Sequence, residues 1–332
     1  MKIARISLQP YSRFHFGEFK IDVDLGLSST SAYAHSDTLF SALANSYSVF
    51  DDADNFVHAF VDSRLNISSL FYYLKHNTQL VLFLPKPVFL ENDSKIDGHH
   101  KVRNKIKFVS LNVWESGFNQ DDWLDPSKFV IIQNEFVVTR DEFNQLISGT
   151  NAKEINIYKT VQSPKSPNSR TAPKDSIFYQ TDISISHNKG DIETGFYFMY
   201  QSGDAASEMM LRNATNLMAK SGIGGERNNM GRIMGDPFFE EFDFELNSTT
   251  YATISLVSPN EIDEFRKMQF YKMIIRGGRS LNHGGKYQAV RLIQEGAKLS
   301  GTISGRLIEI GKDDNNKIAY RNGKAFLIPV LP

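Results

Sequence analysis

Apolar and polar residues alternate from Lys2 to Leu8, and Pro10 closes the run, so the chain is expected to open on a β-strand. Leu39, Phe40, Leu43 and Tyr47 then fall at helical spacing behind Ser36, which suits an N-cap. Leu80 to Leu84 is a short apolar run bounded by Pro85 and Pro87, the pattern of a buried strand. The stretch that follows carries His99, His100, Lys101, Arg103, Lys105 and Lys107 and then the acidic Asp121–Asp125, and it reads as an irregular insertion. Ile155 to Val161 and Ser176 to Ile185 alternate like strands on either side of a basic segment, which predicts an extended hairpin projecting as an arm. Composition alone also fits a disordered surface loop there.

Thr194 to Tyr200 is a further strand, and Asp204 to Lys220 a helix with Met210, Ala214, Leu217 and Met218 on one face. The order strand, helix, strand, arm, strand, helix, glycine loop is that of a ferredoxin-like or RRM-like unit with large insertions. Beyond Thr250 come a strand (251–257), a helix (262 to about 273), a basic glycine segment and strands near 299–310 and 325–330, compatible with a degenerate second copy. The expected fold is therefore α+β. Two ferredoxin-like (RRM-like) domains, 1–246 and 247–332, carry the hairpin arm and glycine-rich loops, with the insertion and arm at about 85–190.

At 332 residues the chain exceeds what one core usually fills, in keeping with two units. It has no cysteine, which removes disulfides, thiolate nucleophiles and cysteine zinc sites. No apolar run reaches the length of a membrane-spanning helix, and the opening strand does not resemble a secretory signal, so a cytoplasmic protein without a membrane partner is expected. The eight histidines are scattered, and neither H-E-x-x-H nor G-x-S-x-G occurs. No catalytic residue, metal ligand or cofactor is assigned.

Net charge is −1, but the charges are segregated. From Arg266 to Gln294 there are seven Lys or Arg and no acid, while Gly235 to Leu246 holds five acids and no base. The arm segment 159–174 adds Lys159, Lys165, Arg170 and Lys174 with three prolines and no acid. Five glycines between Gly222 and Gly235, among them Gly224 and Gly225, interleave with Arg227 and Arg232, a loop whose backbone N–H groups suit a phosphate. A Walker loop is excluded by spacing. A second cluster, Arg276-Gly277-Gly278-Arg279 with His283-Gly284-Gly285-Lys286, suits a sugar-phosphate chain, and Phe16, Tyr271, Tyr287 and Asn228 offer stacking or base-edge contacts.

With Phe14-His15-Phe16-Gly17, His35-Ser36-Asp37-Thr38-Leu39-Phe40-Ser41-Ala42-Leu43, Gly222-Ile223-Gly224-Gly225-Glu226-Arg227 and the region from Arg276 to Glu295-Gly296, the sequence resembles the fourth-subunit family of type III-A CRISPR Csm effector complexes. That family lies in the RAMP superfamily, close to the Cas-five group. The resemblance implies a non-catalytic subunit that holds the 5′ handle of a CRISPR RNA (crRNA), docks the large polymerase-like subunit, and adjoins Csm subunit three, the backbone subunit that cuts target RNA. Target RNA would be met only indirectly. It also implies RNA contacts at His15, His35, Ser36, Arg170, Gly224, Gly225 and Arg227. The alternative is a metal-independent RAMP endoribonuclease processing precursor crRNA, with His15 or His35 as general acid or base. A protein scaffold without RNA contact is a third reading, disfavoured by the basic segment 266–294.

Overall fold

The structure is a computed structural model, in which residues 1–18, 27–91, 100–117, 120–146, 152–165, 177–225, 235–278, 286–312 and 316–331 are described. Four strands, Phe238–Glu241, Lys2–Ser7, Glu193–Ser202 and Phe71–His76, lie side by side in that order, every pair antiparallel. Helix Ser36–Tyr47 follows the first of them in sequence and helix Ala205–Ser221 the third. This is the split βαβ order of a ferredoxin-like unit.

Local chemistry explains both helices. Asp204 accepts a 2.7 Å hydrogen bond from the Ser207 N–H, an N-cap, and Gly222 closes the helix at φ +90°. Leu211, Ala214 and Met218 bury one face. In helix Ser36–Tyr47 the predicted Leu39, Phe40, Leu43 and Tyr47 are buried, but Ser36 is not the cap. His35 occupies that position, and Ser36 lies inside the helix with its hydroxyl accepting from the Leu256 N–H at 3.0 Å. The Ser36 N–H in turn donates to the Ser69 hydroxyl at 2.8 Å.

The expected irregular insertion is instead part of the main sheet. Beyond Phe71–His76 the sheet continues through Gln79–Pro85, Phe108–Ser110, Phe136–Thr139 and Phe129–Ile132, and only the Phe108–Phe136 pairing is parallel. Trp114 and Trp123, on short helices between these strands, are fully buried. Strands of three or four residues are too short to display alternation, which is why charged loops dominated the pattern there.

The arm is a hairpin of Tyr158–Lys165 and Phe178–Ile185, joined by Arg13–Phe14 as a third strand. Its tip, 166–176, lies outside the described residues.

Residues 250–330 form a four-stranded sheet in the order Met268–Phe270, Lys298–Leu299, Thr250–Thr253, Leu327–Val330. Two hairpins stand beside it, Met273–Arg276 with Val290–Ile293 and Gly305–Lys312 with Ile318–Lys324. The expected helix from 262 to 273 stops at Arg266, and Met268–Phe270 pairs with Lys298–Leu299 instead. Among the described residues it is the only α-helix of this region. The expected strand 299–310 is split, with Gly305 turning at φ +60°. Ala252, Ile254, Phe326, Ile328 and Val330 join the core of the first region, so the two share one hydrophobic interior. No helix among the described residues is long and apolar enough to cross a membrane.

Candidate nucleic-acid interface

Register places the basic residues of the arm. Directly paired strand residues point to the same face, and alternate residues along a strand do too. Lys159 pairs with Ser184 and Ser184 with Arg13, so Lys159 and Arg13 lie in one row, and Lys165 follows on the same face. Arg13 and Lys159 are exposed and Lys165 half-buried. The opposite face carries Phe14 and Ile183 into the core. Arg13 was not among the expected contacts, although it immediately precedes the quoted Phe14-His15-Phe16-Gly17; one Arg in a loop-like context gave no signal until the register aligned it with Lys159.

The glycine loop begins against the same three-stranded sheet. The Gly225 N–H donates to the His15 carbonyl at 2.9 Å, bridging the two segments. Gly224 sits at φ +95°, and a Cβ there would lie 2.6 Å from the His15 oxygen. Gly222 caps the preceding helix through a 2.8 Å bond to the Met218 carbonyl. The N–H groups of Gly222 and Gly225 are therefore committed inside the chain rather than aimed at a phosphate. Gly224→Ala is expected to destabilise the fold by about 1–3 kcal/mol through a strained φ and the carbonyl clash, measured by chemical denaturation.

Several expected contact residues are buried for equally definite reasons. Phe16 packs 6.0 Å from Phe14 and 6.1 Å from Phe196, leaving no free ring face for a base. His15 holds the Thr181 carbonyl through Nδ1 at 2.8 Å, with Asp182 at 3.7 Å. Ser36 is fully enclosed. Arg170, Arg227, Asn228 and Arg279 lie outside the described residues, while Lys286 is exposed.

Arg276 was expected on the surface touching phosphate, and here the structure corrects the reading. It is 6% exposed and grips Asp37 with two bonds, Nε to Oδ2 at 2.9 Å and Nη2 to Oδ1 at 3.0 Å. Arg321 donates to the same carboxylate. Burial pushes the Asp37 carboxyl up, but Arg276 and then Arg321 outweigh it and hold it well below the usual carboxylate range. Two residues before Asp37, His35 Nδ1 meets the Glu295 carboxylate at 2.9 Å, Tyr33 donates to it at 3.1 Å, and the Ser69 hydroxyl donates as well. Burial works against Glu295, and the His35 and Ser69 contacts hold it below its ordinary value. His35 is 3% exposed, with its Nδ1 held by the Glu295 carboxylate. Asp37, Glu295 and Arg321 form this network from sites 260 or more residues apart in pairs such as His35 with Glu295, so no local spacing could have exposed it.

Residues 246–330 match the family model of the CRISPR Csm4 C-terminal domain. No curated protein matches the sequence. The whole chain superposes on all of a chain from the crystal structure of a Csm3–Csm4 subcomplex of the type III-A CRISPR-Cas interference complex, at TM-score 0.71 and 19% identity. It covers 98% of a chain from a Csm1–Csm4 cassette in complex with pppApA, with all of this chain aligned, at TM-score 0.58 and 18% identity. At such identities the likeness is one of fold, and it agrees with the resemblance carried by the sequence motifs. Residues 246–330 thus match the CRISPR Csm4 C-terminal domain, within a chain whose fold as a whole is similar to that of the Csm4-containing structures.

Proposed function

We propose that this chain is a non-catalytic, RNA-binding subunit of a type III-A CRISPR effector complex. It holds the 5′ handle of the crRNA on the face formed by the arm and the start of the glycine loop. It docks the large polymerase-like subunit and the backbone subunit, as the assemblies of its structural relatives suggest, and acts in antiviral defence in the cytoplasm. Target RNA reaches it only through the guide.

The observation that carries this reading is the bridge between His15 and Gly225. It seats the glycine loop on the strand next to Arg13, which itself shares a face with Lys159 and Lys165. Three sequence-distant segments thus converge, and they leave cations exposed beside a turn of small residues. Buried residues such as His15, Phe16 and Arg276 shape this surface from beneath. Binding without base readout would make a general clamp, so handle recognition needs contacts to splayed bases as well.

The test is fluorescence anisotropy of purified protein with handle RNA, scrambled handle of equal length, and handle joined to different spacers, at fixed salt. Tighter binding of the true handle, indifferent to spacer, is expected. Equal affinity for handle and scramble would reduce the chain to a nonspecific clamp, and cleavage of repeat RNA by the protein alone would restore the endoribonuclease reading.

A further inference from the structure

Behind the arm lies a cavity of about 510 Å³, lined by Tyr33, Phe108 and Tyr158 on its apolar side and by Lys86, Asn104 and Gln294 among its polar groups. Its volume falls within the roughly 300–1,000 Å³ typical of small-ligand sites. Lys86 is the group in it that folding alone does not explain. The residue is 8% exposed, its Nζ donates to the Arg103 carbonyl at 3.2 Å, and among the described residues no carboxylate pairs with it. An ammonium has three donors, so this one bond leaves most of its capacity unused. Burial, aided by the neighbouring Lys272 charge, lowers the amine to about 8.

The backbone around Lys86 is clamped from two sides. Its N–H donates to the Lys107 carbonyl at 2.7 Å, and the Val88 N–H donates to the Gly296 carbonyl at 2.8 Å. A Cβ on Gly296 would stand 3.0 Å from the Lys86 oxygen, so the Glu295-Gly296 pair brings the second region close enough to hold Lys86 in place. A buried cation held in position and short of an anion is a site for one. The rest of the lining defines which anion. Glu295 spends its oxygens on His35, Ser69 and Tyr33 but keeps its negative charge, so a guest's anionic group belongs at Lys86 and away from this carboxylate. The amides of Asn104 and Gln294 each offer a donor and an acceptor, the edge chemistry of a nucleobase, and Glu18 can accept from an exocyclic amino group. Aromatic walls suit its plane.

We propose that this cavity holds a single nucleotide, its phosphate on Lys86 and its base edge on Asn104 and Gln294. The nucleotide is either a residue splayed from the bound strand, in which case the inference rests on the RNA-binding function proposed above, or a free mononucleotide. The full-length chain, its Lys86→Met and its Asn104→Ala variants are titrated with AMP and CMP, and separately with handle RNA, after thermal melting confirms that each is folded. Asn104 is exposed, so its alanine variant should fold and keeps the test decisive if Lys86→Met misfolds.

The expected result is binding of a mononucleotide weakened about tenfold by Lys86→Met and by a smaller factor by Asn104→Ala. Competition with handle RNA marks the strand as the source, and simultaneous binding of both marks a free ligand. RNA binding that survives in both variants, with no mononucleotide bound to the parent chain, overturns the cavity proposal and leaves the RNA-binding function standing. Loss of all RNA binding by the parent chain, with mononucleotide still bound, does the reverse.

Discussion

Asp37→Ala is expected to cost the fold about 3–5 kcal/mol, because it leaves Arg276 and Arg321 buried without their shared anion. Equilibrium unfolding in urea measures it directly. Arg276→Ala on the Asp37→Ala background should then cost less than Arg276→Ala alone, since the second change removes a charge that the first left stranded. The same site sets an acid limb. The Asp37 carboxyl is lower in the folded chain than its ordinary 3.8, so its contribution is complete above that value and is lost as pH falls through the folded one. Stability of the parent chain should therefore decline in acid below about pH 4, and the Asp37→Ala variant, already without this contribution, should show a shallower decline. Equal slopes would mean that other carboxylates govern acid unfolding.

The second large effect concerns salt. Arg13, Lys159 and Lys165 share one face of the arm, and under the proposed function each would neutralise a phosphate. Replacing all three by alanine should reduce the slope of log K against log salt by about 2, at roughly 0.7 for each contact with a single strand. Because Arg13 and Lys159 are exposed and Lys165 is only half-buried, the variant should melt close to the parent chain. An unchanged slope would move the RNA path off the arm.

Much of the first region was legible in the sequence because its elements are long and periodic. The opening strand, the helix carrying Leu39, Phe40, Leu43 and Tyr47, and the Asp204-capped helix each announce themselves by spacing. The sheet extension around Trp114 did not, since short strands between charged loops carry too few residues to establish a period. The candidate site divides the same way. Clusters of Lys, Arg and Gly marked Lys159 and the glycine loop from composition. Composition cannot report whether a guanidinium is solvated or spent on a buried aspartate, and so Arg276 read as a surface cation. Its partner Asp37 stood in a quoted motif, but a carboxylate 239 positions away leaves no trace in local pattern.

The strand Leu327–Val330 and its neighbour Phe326 fill the interior of the first region, and the Pro329 carbonyl receives the Trp114 indole N–H at 3.0 Å. Because Ile3 and Val330 belong to this one interior, its closure waits on pairings very distant along the chain, and contact order so high should make folding slow.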